Sequence, residues 1–356
     1  VVAAADPACT VTYGDYFTAT CDYLSKNRMA VLEQAAGRVM GHAVALERSI
    51  PVRIHLVKHG AFYHPSLVRL QIDRSDIPLV LNVAVSPQGR RQLPVEVASL
   101  CALDRILSEN LVPRVYASGS GCAPGHPPFP MFIGQWFDGF HEIHLTGGHS
   151  TAQPQWLVWD AEQGPWRLDD AQVADFYRQA VYILTSCFDP HTLSAVLDWH
   201  HAAGDFIVAR SGAELAVRLI TVRRYAPFFR QEADEAVDLE FLLDGLAVFL
   251  MRTSLWMRLD RLDGTGRMVW VDDQTVAPMW KGFMQGIRTM ARRSGFPEAF
   301  TEGVVRFFSA HTREDWLGQA SDIVARYPAD LPEAALMREH LHRHVERLAA
   351  VVRAER

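Results

Sequence analysis

Lysine is scarce in this sequence: only Lys26, Lys58 and Lys281 occur among 35 basic residues. The skew toward arginine reads as base composition, and it makes each lysine worth weighing. Basic stripes are missing too. No run is longer than paired arginines and the net charge is −6, which excludes the electrostatic footprint of a nucleic-acid binder. Cysteine is thin and unpatterned. Cys9, Cys21, Cys101, Cys122 and Cys187 are odd in number, scattered and without CxxC spacing. That argues against a disulfide framework or zinc knuckle and for reduced thiols in a cytoplasmic protein. Long apolar runs are also lacking. The nearest, "FLLDGLAVFLMRTSLWMRL", is broken by Asp244 and Arg252 and reads as a buried helix, not a membrane span. The stretch "VVAAADPACTVTYGDY" has no basic segment ahead of an apolar run, so it does not read as a signal peptide. Internal repeats and low-complexity tracts are absent.

What is present is an ordinary globular composition, 49% hydrophobic and 21% charged over 356 residues. This suffices for one large domain or two medium ones. Residues 28–47 read as an Ala-, Leu- and Val-rich helix. Residues 52–57, 67–72 and 79–86 read as short β-branched strands around turn chemistry at Gly60 and Pro65. Residues 94–109 open on proline and carry Val97, Leu100, Leu103 and Leu107 on one face, a helix. "PRVYAS" and "FPMFIGQWF" read as two more strands, joined by the flexible "GSGCAPGHPP". Beyond residue 150 helical periodicity takes over, at 169–188, 191–204, 236–262, 275–293, 297–310, 313–326 and 332–355. One strand pair is embedded, "DFIVAR" with "AVRLITVRR". Strands segregated from helices predict an α+β fold in two lobes, a small mixed N-terminal lobe and a mostly helical C-terminal lobe. The expected boundaries are a helical extension over 1–48, the small lobe over 49–140 and the helical lobe over 141–356, with a ligand in the cleft between lobes.

The ordered set of segments resembles the protein-kinase-like superfamily, in its aminoglycoside phosphotransferase branch. "VRIHLVKHGAFYHPSLVRLQI" resembles the first strand, phosphate loop and second strand, and "LVLNVAVS" the third strand. Glu96 falls where the family's third helix carries its ion-pair glutamate. "MFIGQWFDGFHEIHL" resembles the fifth strand and hinge, "HHAAGDFIVAR" the catalytic loop, "VRLITVRRY" the metal-binding strand after it, and "WKGFMQGI" a late helix motif. The resemblance spans roughly residues 50–290. It implies ATP as cofactor and a phosphotransferase activity, with Asp205 as the catalytic acidic residue.

The departures from the family pattern are chemical. Its third-strand lysine is missing, and Asn82 stands in that stretch. Ala203 stands where a histidine precedes the catalytic Asp, and Arg210 where a metal-ligating Asn follows it. The carboxylate expected near Thr221 is missing as well, with Arg223 and Arg224 close by. Magnesium takes oxygen ligands, usually one or two carboxylates plus phosphate. A site with Asp205 alone among arginines argues against magnesium and for direct binding of a nucleotide or other small anion. The ligand-binding set is then Lys58, Gly60, Glu96, Arg210 and Arg223, with Lys58 standing in for the missing lysine and Glu96 as its partner. No resident metal is expected. A non-catalytic member of such a family acts through a protein partner. An active atypical kinase using Lys58 and Asp205, and a structural subunit without a ligand, are the alternatives.

Other polar clusters have plainer readings. His200 and His201 fit packing and backbone bonding better than substrate binding, and Gly204 interrupts any helical His201–Asp205 metal pair. His141, His144 and His149 have ligand-like spacing but fall at the expected hinge. His340 and His344 lie opposite the apolar stripe of the last helix, so they read as solvated. Arg258, Asp260, Arg261 and Asp263 read as ion pairs at a helix end. Trp136, Trp156, Trp159 and Trp166 read as core packing.

Overall fold

The computed structural model describes residues 10–47, 50–60, 62–72, 74–147, 154–200, 204–211, 214–229 and 237–355. The protein is α+β, with antiparallel sheets, helices and a mostly helical C-terminal region. The chain divides into two compact units, Val1–Asp138 and Gly139–Arg356.

In the first unit α1 (Tyr13–Met40) precedes β1 (Val52–Leu56), β2 (His64–Ile72) and β3 (Ser75–Val83). Then follow α2 (Pro87–Ile106), β4 (Val115–Gly121) and β5 (Phe129–Gln135). The five strands form one antiparallel sheet in the order β1-β2-β3-β5-β4. Helix α1 starts fifteen residues before the periodicity predicts. Its true signal is a capping box in which Thr12 and Asp15 satisfy each other's backbone N–H groups. Tyr16, Ala19, Tyr23, Leu32 and Ala35 join Leu79, Leu81 and Ile133 of the sheet in one buried cluster. Helix α2 also starts early. Ser86 caps it and Pro87 occupies its first turn, so Pro94 lies inside the helix.

In the second unit β6 (His141–Thr146), β7 (Gln155–Trp159) and β8 (Trp166–Arg167) precede α3 (Asp170–Ser186). Next come β9 (Ser194–Leu197), β10 (Phe206–Ser211), β11 (Glu214–Leu219), β12 (Arg224–Pro227) and α4 (Leu239–Trp256). The chain ends in the hairpin β13 (Leu259–Arg261) and β14 (Met268–Trp270), then α5 (Val276–Arg293), α6 (Ala299–Ala310), α7 (Arg313–Ala325) and α8 (Pro332–Arg353).

Three expectations fail here. In place of the helix expected over 191–204 the described residues hold the strand β9 at Ser194–Leu197, all four residues of which are buried, so no alternation marked it; residues 201–203 lie outside the described residues. The hinge segment "HEIHL" is the strand β6, the middle of a second five-stranded sheet ordered β11-β10-β6-β7-β8. The expected single hairpin is thus part of a larger sheet. Helix α4 stops at Trp256 and not at residue 262, because the chain turns into β13. The last four helices match their periodicities to within two residues at each end. Among the described residues no helix is long and apolar enough to cross a membrane.

Candidate functional site

The loop around Asp205 is set by two pairs of strands. Strand β9 pairs antiparallel with β12, Leu197 opposite Arg224, and β10 forms a hairpin with β11, Phe206 opposite Leu219. Asp205 is the residue just before β10, and its carbonyl accepts from the Ile220 N–H at 2.8 Å. Phe206 and Val208 are fully buried and Ile207 nearly so, which anchors the strand behind the loop. Trp199 packs edge-on against Phe206. Gly204 turns the chain at φ +72, and a Cβ there would also lie 2.8 Å from Glu142 Oε2. Glycine is required twice over, for the left-handed backbone and for space.

The carboxylate of Asp205 is buried and saturated with donors. Arg223 grips it bidentately, Nη1 to Oδ2 at 2.6 Å and Nη2 to Oδ1 at 2.7 Å. The His200 backbone N–H donates to Oδ2 at 2.6 Å. Arg223 Nη1 donates also to the Asp198 carbonyl at 2.7 Å. Arg224 pairs with the Asp198 carboxylate, Nε to Oδ2 at 2.8 Å, but that pair is half exposed. Asp198 itself has φ +60, a conformation rare outside glycine. Two parallel charge-assisted bonds to a carboxylate that is 2% exposed form a tight lock. These residues do not fit a magnesium site, since the carboxylate a metal would need is held by a guanidinium. The His200 ring lies edge-on to Trp256. Burial lowers its pKa to about 4, although Asp205 pulls the other way. It is a neutral packing group. His201 lies outside the described residues.

Arg210 does not join the lock. It is exposed on β10, and its guanidinium lies 3.8 Å above the Trp166 ring. The remaining candidates belong to the first unit. Lys58 is half-buried in the loop between β1 and β2, and Glu96 is buried on α2. Gly60 closes that loop, since a Cβ there would come 2.5 Å from the Tyr63 carbonyl oxygen. A Cβ on Gly89 would meet the Phe62 carbonyl oxygen at 1.8 Å, so the loop packs directly on the first turn of α2. Asn82 sits on β3 between Pro65 and Phe132. Of the other lysines, Lys26 bonds Asp22 and the Ser120 carbonyl, and Lys281 is exposed on α5.

The histidine trio separates. His141 Nε2 is 3.5 Å from Asp160, His144 Nε2 is 3.3 Å from Glu142, and His149 lies outside the described residues. Among the described residues no group of three or more His, Cys, Asp or Glu side chains could hold a metal. Of the tryptophans expected in the core, Trp156 is buried but Trp159 is 42% exposed.

Two sequence readings are corrected. His344 is not solvated but buried, its Nε2 2.9 Å from Ser254 Oγ. Arg258 is buried too. Its Nη2 donates to Asp273 at 2.6 Å, its Nε to the Val271 carbonyl at 2.7 Å, and its Nη1 lies 3.3 Å from His344 Nδ1. An arginine only donates, so His344 Nδ1 is the acceptor and Nε2–H donates to Ser254. That neutral tautomer agrees with a pKa lowered to about 3 by burial and by Arg258. Asp260 is buried among backbone donors, and burial raises its pKa to about 7. Of the four charges read as ion pairs at a helix end, Arg258 pairs with Asp273 and Arg261, partly exposed, with Glu333. Asp263 accepts from the Gly147 N–H. The signal available in sequence was spacing: His344 stands three residues after Leu341 and four before Leu348, on the face that α8 buries.

No protein-family model matches the chain, and no curated protein matches its sequence.

Proposed function

We propose that this protein is a kinase-like, non-catalytic binder of a nucleotide or another small anionic ligand, a pseudokinase that needs no metal. The observation that carries this reading is the saturated Asp205 carboxylate. A carboxylate gripped by Arg223 can neither coordinate magnesium nor accept a substrate proton without first breaking two charge-assisted bonds. The kinase-like part of the reading is supported by the first unit's sheet. The third- and fifth-strand candidates pair directly, Leu81 opposite Ile133, with α2 following β3 in the chain. It is supported again by the second unit, where a loop bearing Asp205 leads into a hairpin and both flanks are tied by β9 and β12.

A panel of nucleotides and simple phosphates, read by thermal shift with and without magnesium, tests the proposal, because a specific ligand raises the melting temperature by mass action. The expected result is a ligand whose shift is the same in chelator and in magnesium. Binding that requires millimolar magnesium would sink the metal-free reading. Phosphate transfer by the wild type that vanishes in Asp205→Asn would establish the active kinase instead. A flat panel favours the structural reading, in which the site is filled by its own side chains. The Asp205–Arg223 pair supports that reading as well.

A further inference from the structure

The sheet β11-β10-β6-β7-β8 turns one face to the core and leaves the other open along β7 and β8. Strand β7 alternates cleanly. Trp156 and Val158 are buried, Leu157 is half-buried, and Gln155 and Trp159 are exposed. Residues directly opposite each other in an antiparallel pair share a face. On the open face Ile207 of β10 lies opposite Glu142 of β6, and Glu142 lies opposite Trp159 of β7. An apolar, an acidic and an aromatic side chain thus stand in one row across three strands. Leu157 shares the face with Trp159, and Arg167 of β8, which is exposed, lies opposite Leu157.

The Trp159 ring is held in place although it is 42% exposed. It rests on the His144 ring with 4.1 Å between centroids, and His144 is buried. Behind His144 comes Gly264, where a Cβ would lie 3.1 Å from the imidazole. A ring fixed in advance loses little freedom when a flat ligand stacks on it. Beside it the Glu142 carboxylate lies 3.3 Å from His144 Nε2, and with about four acceptor sites it takes a ligand's N–H groups alongside that contact. We infer that this face binds a guanine nucleotide, an assignment that rests on the nucleotide reading above and adds the identity of the base. The base stacks on Trp159. Of the common bases only guanine has two adjacent N–H donors on one edge, N1–H and N2–H, and a carboxylate accepts both in a charge-assisted pair. Adenine would turn the lone pair of its N1 toward Glu142. The sugar leaves from the far end of the purine, away from Glu142 and toward β8, where Arg167 meets the phosphates. A simple cation would suit Glu142 and the indole but not the arginine on the same face.

Calorimetry in chelator with GDP, ADP and guanosine tests the assignment on the full chain. Wild type should bind GDP at least about tenfold more tightly than ADP, the size of a hydrogen-bond difference at a charged group. Glu142→Gln should remove that preference, because its amide offers a donor to one of the two N–H groups. Trp159→Ala should weaken GDP and guanosine alike by at least about fivefold, the lower end of base stacking. Arg167→Ala should weaken GDP and leave guanosine unchanged. Melting curves check that each variant is folded, and if Trp159→Ala is not, Glu142→Gln with Trp159→Phe decides the matter. ADP bound as tightly as GDP by the wild type overturns the guanine site and leaves a nucleotide binder. So does GDP binding that ignores both the Glu142 and the Trp159 substitutions. No binding of either nucleotide overturns the site and the nucleotide reading together.

Discussion

Asp205 and Asp198 lie seven residues apart, each facing an arginine, yet their ion pairs are worth different amounts. The Asp205–Arg223 pair is desolvated and bidentate, whereas Asp198 and Arg224 are each about half exposed. Asp205→Asn strips a charged acceptor from two guanidinium bonds and a backbone bond, and should cost about 1–3 kcal/mol. Arg224→Ala should cost at most about 1 kcal/mol, the range of exposed pairs. Urea denaturation of the two variants measures both, and equal losses would contradict the lock. At this scale the sequence was partly legible. The Gly-Asp turn and the apolar anchor Phe206, Ile207 and Val208 could be read directly. Which arginine holds Asp205 could not, because Arg210, five residues on, and Arg223, eighteen on, were equal candidates until the pairing of β9 with β12 chose between them.

Among the elements, α3 and α5 make the closest helix contact that glycines permit. A Cβ on Gly282 would lie 2.0 Å from the Arg178 carbonyl oxygen, and one on Gly286 would lie 2.5 Å from Thr185 Cβ. Backbone cannot yield as a flexible side chain can, so Gly282→Ala should force the helices apart and destabilise by about 1–3 kcal/mol. The same change at Gly303 in α6, where nothing lies within 4 Å, should stabilise by up to about 1 kcal/mol through helix propensity alone. Opposite signs in chemical denaturation are the expected outcome; two stabilised proteins would show that α3 and α5 are not packed this tightly. The motif "WKGFMQGI" thus carries helix packing, whatever else it resembles. Helices α5 to α8 were legible because 3.6-residue periodicity is local. Strands β6, β7 and β9 were not, since β9 is buried on both faces and the short β6 and β7 acquire their roles only from strands distant in sequence.

For the molecule as a whole, the buried histidines set the response to acid. Burial lowers the pKa of His64 and His200 to about 4 and that of His344 to about 3. Unfolded histidines take protons near 6.5, so each contributes stability that is complete above that pH and is lost as pH falls toward the folded value. Asp260 works in the opposite sense. Its folded pKa of about 7 exceeds the unfolded one, so its contribution grows as pH falls from 7 toward 4. Three groups outweigh one, and each is worth up to about 1.4 kcal/mol per pH unit within its window. The melting temperature should therefore fall between pH 7 and pH 5, and His344→Leu should flatten that fall; a profile level over this range would refute it. By itself the sequence determined the α+β composition, the helical C-terminal region and the turn that presents Asp205. Those follow from local periodicity, caps and turn chemistry. Only the tertiary structure decided that Arg223 holds Asp205, that Arg258 and His344 are buried together and that a second sheet runs through the second unit. Each of these depends on strand register or helix packing between residues far apart in the chain, and local pattern carries no information about which distant partner a charge or a strand edge will meet.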